Sequence, residues 1–409
     1  MSRPDVNINL TNGNLGREVA SNDGVSAIIG SGVAVADKFA LGDILGPYYK
    51  PEDAAADGID ADYDSTNKVL LYQHISDFYE TAGNGTPLYV MVVVNTVTME
   101  DICDKTEEYA AKLIEQLKGE LRMVIITRVP DATYAATVLK GLDDDVVAAA
   151  VNAQALWVEN FSKFRPISFL IEGRDYQGVP GDLVDLRSSS LGPNANRVGI
   201  VISADPDVSA AEAEYAAYAN VALIAGRLAA DPVQRDPGRV RTGKLPITKA
   251  GLSDAVNISQ VSETDLVAMH DKGYIFCWQH TGKAGYYINM GHAACPIADD
   301  YSYLSRGRVI DKAARLIRQV YIEDLLDEIE VDADGKLEVG VIKNFQSRGE
   351  SVIQTNMLAK KEISGVGVYV NPDQNILSTD KLEVELKITP MGIAKEIVVN
   401  LGFTNPANT

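Results

Sequence analysis

Apolar and polar residues alternate in three consecutive segments near the C-terminal end of the chain, residues 362–370, 381–389 and 395–403. Because successive side chains of a β-strand point to opposite faces, this spacing predicts three half-buried antiparallel strands. Turn residues separate the segments. The third strand is predicted to be either a sheet edge or an arm that pairs with another chain. The apolar positions are Val366, Val368 and Val370 in the first segment, Leu382, Val384, Leu386 and Ile388 in the second, and Ile397, Val399, Leu401 and Phe403 in the third.

Residues 1–20 form a second candidate arm. Residues 5–10 alternate like a strand, with Val6, Ile8 and Leu10 on one face. The segment carries too little apolar surface to pack a core of its own, since burial of that surface is what stabilises a folded segment. We therefore predict that residues 1–20 are an arm that needs a partner.

Strand and helix patterns alternate between residues 25 and 230. This alternation predicts a three-layer α/β domain with a parallel sheet. Residues 51–64 interrupt it with six acids and no base, and are predicted to be a solvated surface loop. The apolar, β-branched runs suited to buried strands are residues 25–30, 88–95, 122–128, 167–172 and 197–203, and the segments with helical spacing are residues 100–118, 143–163 and 208–230.

A further domain is predicted after residues 231–243, whose prolines, glycines and arginines are typical of a linker. Its longest element is a helix at residues 305–330 with bases in its first half and acids in its second, an order that the helix dipole disfavours. Arg308, Lys312 and Arg315 share one face of this helix. Two interpretations fit: the basic stripe binds a partner, or it is a solvated face with internal ion pairs.

Composition and charge exclude several classes of protein. The length of 409 residues allows two or three domains, and 46% hydrophobic with 23% charged residues is ordinary for globular protein. The net charge of −20 repels phosphate backbones, so we expect no nucleic-acid partner. The polar N-terminus does not resemble a signal peptide, and no apolar run approaches a membrane span, so we expect no membrane insertion. Three cysteines do not suggest a disulfide framework, which favours a reducing compartment during folding.

Two glycine-rich stretches match phosphate-binding loops only in part. Residues 238–244 fit a P-loop, but Leu245 replaces the Ser or Thr that should hold magnesium, and Pro246 interrupts the helix that should follow. Residues 30–32 follow a strand pattern, but Val35 occupies the sixth position of a dinucleotide fingerprint. We therefore predict no cofactor and no catalytic residue, and keep a nucleotide-binding α/β enzyme with an appended β domain as an alternative function.

Two cysteines and two histidines form the sharpest metal pattern in the chain. Cys277 and His280 are three residues apart, as are His292 and Cys295, and together they could close a tetrahedral zinc site. Residues 274–280 have a strand pattern, however, and residues three apart on a strand point to opposite faces. The sequence therefore predicts no metal site.

The C-terminal third resembles the contractile tail sheath family, which builds phage tails, R-type bacteriocins and related injection machines. Four stretches carry the resemblance: residues 266–274, the arginine-rich residues 306–315, the hairpin region 362–382 and the closing residues 394–403. The remainder of the chain adds only a compatible α/β pattern.

The resemblance implies a structural subunit and no enzyme. Its parts would be an N-terminal arm (1–20), an outer α/β domain (21–235), an inner α+β domain (236–393) and a C-terminal arm (394–409). Both arms would add strands to neighbouring subunits beside residues 382–388, so that hexameric rings stack around an inner tube and contract to drive it into a target cell. Arg308, Lys312 and Arg315 would face the tube.

Partners and location follow from the same resemblance. They would be other copies of the chain, a tube protein, and baseplate and terminator proteins, with assembly in the bacterial cytoplasm into a virion tail or injection particle. Another self-assembling capsid or tube component is a further alternative.

Overall fold

The computed structural model describes residues 22–138 and 140–403. The chain divides into two compact units, unit 1 (Met1–Arg315) and unit 2 (Leu316–Thr409). The predicted domain boundary near residue 235 does not coincide with this division. Leu252, Ile275 and Phe276 lie beyond that boundary, yet they are buried in the same hydrophobic core as the strands of the α/β sheet. Burial of these side chains places residues 236–315 in unit 1.

The strands of the described residues fall into one six-stranded sheet and three two-stranded sheets. In the large sheet, β1 pairs in parallel with β3 and β4, β4 with β5, and β5 with β6, while β2 is antiparallel to β3. The strands are β1 Ser26–Ser31, β2 Ile44–Tyr48, β3 Leu88–Val93, β4 Met123–Ile126, β5 Ser168–Glu172, β6 Val198–Val201, β7 Ser203–Ala204, β8 Gly251–Leu252, β9 Cys277–Trp278, β10 Tyr287–Ile288, β11 Ile363–Val370 and β12 Val384–Pro390.

All five predicted parallel strands are present, in the order β3-β1-β4-β5-β6, with β2 beyond β3 as an edge. Every residue of β1, β4, β5 and β6 is buried. Helices cover both faces of a parallel sheet, so its strands need apolar side chains on both sides. The continuous apolar runs of the sequence are the result of that burial.

The helices match the prediction less closely. The segment predicted at 143–163 is one helix, α6, but those predicted at 100–118 and 208–230 are each divided. Between α4 and α5, Asp104 accepts the backbone N–H of Thr106 at 2.7 Å, which offers the backbone an alternative to helix. The helices are α1 Pro51–Ala56, α2 Ala61–Asn67, α3 Leu71–Ala82, α4 Met99–Cys103, α5 Ala110–Gln116, α6 Asp144–Ser162, α7 Pro206–Ser209, α8 Val221–Ala230, α9 Glu263–Asp271, α10 Leu304–Tyr321, α11 Val339–Ile353 and α12 Ile376–Thr379.

The predicted solvated loop at residues 51–64 is wrong, because α1 and most of α2 lie there. Pro51 occupies the first turn of α1, followed by two acids. Asp60 caps α2 by accepting the N–H of Tyr63 at 2.9 Å. Acids at a helix start satisfy free N–H groups and complement the helix dipole. The acidic residues therefore begin helices.

The predicted linker at residues 231–243 is an ordered part of unit 1. Asp236 is buried and accepts the backbone N–H groups of Gly238 at 2.8 Å and Gly291 at 3.2 Å. Val233 is also buried. Prolines and glycines in this segment therefore form turns that pack against the same unit, rather than a flexible connection.

Unit 2 is built on the β11–β12 hairpin and α11. One cluster of its core consists of Leu337, Ile342, Phe345 and Val370, with several half-buried neighbours. Helix α10 ends at Tyr321, nine residues before the predicted end at residue 330. Arg348 donates to the carbonyl of Val320 at 2.8 Å and pairs with Asp324 at 2.6 Å, which closes the helix end.

Candidate assembly surfaces

A buried network of side chains lies near the crevice where ligands usually bind in this sheet topology. The parallel strands follow the doubly wound order in which ligands bind at the carboxyl ends of the first and third strands, here β1 and β4. Just beyond β4, Thr127 Oγ1 lies 2.6 Å from His74 Nε2 and donates to Glu172 Oε2 at 2.7 Å. Burial lowers the pKa of His74 to about 3 and raises the pKa of Glu172. These side chains form a buried polar network beside the end of β4.

Neither glycine-rich stretch has phosphate-binding geometry. A Cβ on Gly32 would lie 2.5 Å from the hydroxyl of Tyr63, so this glycine serves close packing. That hydroxyl also accepts the N–H of Val33 and donates to its carbonyl, both at 2.7 Å. Residues 238–244 contain the short 3₁₀ helix Val240–Thr242, without the strand and helix that flank a P-loop.

The cysteines and histidines of the zinc pattern do not converge. Cys277 and Cys295 are buried, and burial raises the pKa of each thiol to about 12. His292 Nε2 contacts His270 Nδ1 at 3.3 Å, and Arg187 donates to His292 Nδ1. Among residues 22–138 and 140–403, no group of three or more His, Cys, Asp or Glu is placed to hold a metal ion. Within the same residues, no helix is both long and apolar enough to cross a membrane.

The second predicted C-terminal strand presents the backbone groups that a further strand would need. In an antiparallel pair, residues alternate between those whose N–H and C=O face the partner and those that face away. The N–H of Val368 donates to Glu350 Oε1 at 3.2 Å, so it does not point to β12. The backbone N–H and C=O groups of Leu386, the register partner of Val368, therefore point away from β11 as well. The N–H and C=O groups of Val384, Leu386 and Ile388 therefore point to the outer edge of β12. Within the described residues no strand pairs with that edge.

Side-chain burial on β12 matches the sequence pattern. Leu382, Val384, Leu386 and Ile388 are half-buried, and the residues between them are exposed. Gln374 holds the strand start by donating to the carbonyl of Glu383 at 2.9 Å and accepting its N–H at 2.6 Å. The hairpin itself is confirmed, with seven residue pairs from Ile363↔Pro390 to Val370↔Val384.

The outer edge of β11 and the two edges of the large sheet are partly protected. Glu350 covers part of the outer edge of β11 through its contact with Val368. In the large sheet, Ile275 pairs along β6, accepting the N–H of Ile202 at 2.9 Å and donating to Ile200 at 3.0 Å. At the opposite edge, β2 contains Pro47, which has no N–H to offer. The outer edge of β12 is therefore more open to strand addition than these three edges.

The third predicted strand does not join this sheet. Residues 391–403 follow β12 and form no strand within the part of the chain that the structure describes. Ile397, Val399, Leu401 and Phe403 are between 75% and 111% exposed. The prediction of a sheet edge within one chain is therefore wrong, and the arm stays a prediction. Val6, Ile8 and Leu10 of the N-terminal arm lie outside the described residues.

The predicted basic stripe on α10 is turned toward the chain. Lys312 Nζ lies 2.6 Å from Asp23 Oδ2, and an Arg315 guanidinium nitrogen lies 2.8 Å from Asp23 Oδ1. Arg308 donates to the carbonyl of Asp231 at 3.2 Å. These distances support the internal ion pairs of the second interpretation, although Lys312 and Arg315 are not a solvated face. Contact of these residues with a tube stays a prediction.

Two models of one protein family match nearly the whole chain. A family model described as DUF2586, N-terminal domain, matches residues 3–292, and one described as DUF2586, C-terminal domain, matches residues 300–408. A search of curated protein sequences finds no match.

Solved structures share the fold over nearly the whole chain. One is the anti-feeding prophage (AFP) baseplate, 6-fold symmetrised, with 14% sequence identity, a TM-score of 0.63 and 99% of each chain covered. Another is the AFP helical sheath in its contracted state, with 14% identity, a TM-score of 0.62, and coverage of 98% of this chain and 99% of that chain. The chain thus belongs to the DUF2586 family and has the fold of contractile sheath proteins.

Proposed function

We propose that this chain is the structural subunit of a contractile tail sheath. Copies would form hexameric rings that stack around an inner tube and contract to drive the tube into a target cell. The fold shared with the AFP sheath chain over 98% of this chain supports the proposal. Tube, baseplate and terminator proteins would be the other partners.

The observation that carries the proposal is the presence, in one chain, of an open strand edge and of an exposed, alternating apolar segment that joins no sheet within the described residues. The outer edge of β12 offers three N–H and three C=O groups, from Val384, Leu386 and Ile388. Residues 395–403 alternate as a strand does and lie exposed. In strand addition, main-chain hydrogen bonds supply affinity, and alternate side chains fix the register.

Contacts of this kind are strong enough to hold an assembly. Each backbone hydrogen bond contributes about 0.5–1.5 kcal/mol net. Burial of each large aliphatic side chain, such as Ile397, Val399 and Leu401, contributes about 1.5–3 kcal/mol. The edge and the arm are different surfaces, so the contact is head-to-tail and propagates from copy to copy instead of closing in pairs.

Contraction would then be a rearrangement of connected rigid bodies. Residues 391–403 contain no helix or strand in the described chain, so they can act as a tether while the folded parts of each subunit rotate. The arm would remain paired in both states.

Truncation after Pro390 tests the proposal. We expect the full-length chain to form long striated cylinders in negative-stain micrographs, and the truncated chain to remain as subunits with an unchanged unfolding temperature. Cylinders formed by the truncated chain would overturn the role of the arm, and absence of cylinders with full-length protein and its tube would overturn the sheath assignment.

Two neighbouring substitutions sharpen the test, because they differ only in the strand face that they alter. Val399→Lys places a charge on the apolar face of the arm and should abolish cylinders. Asn400→Lys adds the same charge on the opposite face and should leave them intact. Equal behaviour of the two variants would argue against pairing as a strand.

A further inference from the structure

The chain is held at two points directly after residue 21. Asp23 Oδ2 lies 2.6 Å from Lys312 Nζ, and Asp23 Oδ1 lies 2.8 Å from an Arg315 guanidinium nitrogen, both on α10. A Cβ on Gly24 would lie only 2.6 Å from the carbonyl oxygen of Ala229, at the end of α8. An ion cluster at Asp23 and a close backbone approach at Gly24 fix the chain at these two residues.

The ion cluster is shielded from water. The side chains of Asp23, Lys312 and Arg315 are between 9% and 16% exposed. Arg122 and Asp311 line a small cavity together with Asp23 and Arg315. Removing one partner of a buried pair leaves an uncompensated charge, whereas exposed pairs contribute little. Displacement of Asp23 from this position is therefore costly.

The position of the cluster along the chain suggests its purpose. Asp23 lies two residues after residue 21, and residues 1–21 include the predicted N-terminal arm. Lys312 and Arg315 lie on the helix that carries the chain from unit 1 into unit 2, since the division between units falls after Arg315 within α10. A force on residues 1–21 would thus reach this helix through Asp23.

We propose that Asp23, Lys312 and Arg315 form a root clamp that transmits a pull on the N-terminal arm to α10. The inference rests on the proposed function, because the pull comes from a neighbouring copy that holds the arm. It gives Lys312 and Arg315 a role in subunit coupling, independent of any tube contact. Asp23 is a positioning residue here, acting through the helix.

Hydrogen–deuterium exchange in free subunits and in cylinders of the full-length chain tests the clamp. We expect exchange of the α10 amides to slow at least about tenfold on assembly of the wild-type chain, which corresponds to about 1.4 kcal/mol. Asp23→Asn should form cylinders in which α10 changes less than about twofold. Asp207→Asn removes a carboxylate from the exposed pair with Lys249, at 2.7 Å, and should behave like the wild type.

The outcomes separate the clamp from the sheath assignment. Equal slowing of α10 exchange in wild-type and Asp23→Asn cylinders would overturn the clamp and leave the sheath assignment intact. If Asp23→Asn forms no cylinders, Asp23→Glu decides: restored cylinders with a protected α10 support the clamp, and continued failure overturns it. A wild-type chain that never forms cylinders overturns both.

Discussion

Leu386→Pro should block assembly without destabilising the subunit, whereas Lys387→Pro should destabilise the subunit itself. The N–H of Leu386 points to the outer edge of β12, and that of Lys387 points to β11, where its register partner is Gly367. Proline removes one N–H in either case and is tolerated in a strand only where that group faces outward. Two adjacent residues therefore report on the two sides of one strand.

The expected magnitudes follow from those directions. In the free subunit, Leu386→Pro breaks no ladder hydrogen bond and loses part of a half-buried side chain, about 1 kcal/mol. In the assembly, the incoming strand loses one hydrogen bond of about 1 kcal/mol and keeps an unsatisfied carbonyl costing about 1–3 kcal/mol. The contact should weaken by about 2–4 kcal/mol, or about 30- to 900-fold.

Sedimentation of cylinders over a series of subunit concentrations measures this loss, and calorimetry of the free subunit measures the stability of unit 2. Leu386→Pro should raise the critical concentration by at least about 30-fold with a nearly unchanged unfolding temperature. Lys387→Pro should lower the unfolding temperature, because its lost bond belongs to the hairpin. Assembly of Leu386→Pro at the wild-type concentration would refute strand addition at this edge.

Two further predictions concern unit 1. Burial raises the pKa of Asp77 to about 7, so the folded state holds a proton that the unfolded chain releases above about pH 4. The stabilisation that this proton provides is complete below that pH and is lost as pH rises to about 7. The Asp77→Asn variant can still accept a hydrogen bond from Tyr218, and it should reduce this fall in the free energy of unfolding, measured with urea, by about 2–4 kcal/mol. An unchanged dependence on pH would contradict this prediction. Gly226→Ala places a Cβ 2.1 Å from the Phe78 carbonyl oxygen and should lower the free energy of unfolding by about 1–3 kcal/mol. Gly340→Ala, a control in open space on α11 of unit 2, should be neutral or stabilising by up to about 1 kcal/mol. Equal effects of the two substitutions in thermal unfolding would contradict this packing.

The buried sheet could be predicted because each of its strands carries its own signal within a single segment of the sequence. Strands covered on both faces need apolar residues throughout, and all five predicted runs became parallel strands. The edge strand β2 lacks this signal, since it is only partly buried and contains Gly46 and Pro47. The acids of residues 51–64 misled for a similar reason: their count indicates solvation, but helix caps depend on where each acid stands.

Long-range pairing is the part that sequence reasoning missed. The period of 382–388 correctly gave the half-buried face of β12, because alternation is local. Which edge of the hairpin is covered depends on α11, whose Glu350 contacts the outer edge of β11 and leaves the outer edge of β12 open. The cations of α10 formed a stripe by spacing, yet Asp23, nearly 300 residues earlier, determines where Lys312 points. Single-segment patterns contain no signal for such contacts.

The small size of unit 2 gives the open edge a physical purpose. A two-stranded hairpin is marginal in water, and the cluster of Leu337, Ile342, Phe345 and Val370 is part of the small core that supports it here. A strand added at β12 would satisfy three more residues of backbone, from Val384 to Ile388, and cover their half-buried side chains. Pairing with a neighbour would therefore stabilise the hairpin that receives it, so that assembly and folding of this unit reinforce each other. A third strand from the same chain would make the subunit more stable alone, but it would occupy the edge of β12 that a neighbouring copy could otherwise use.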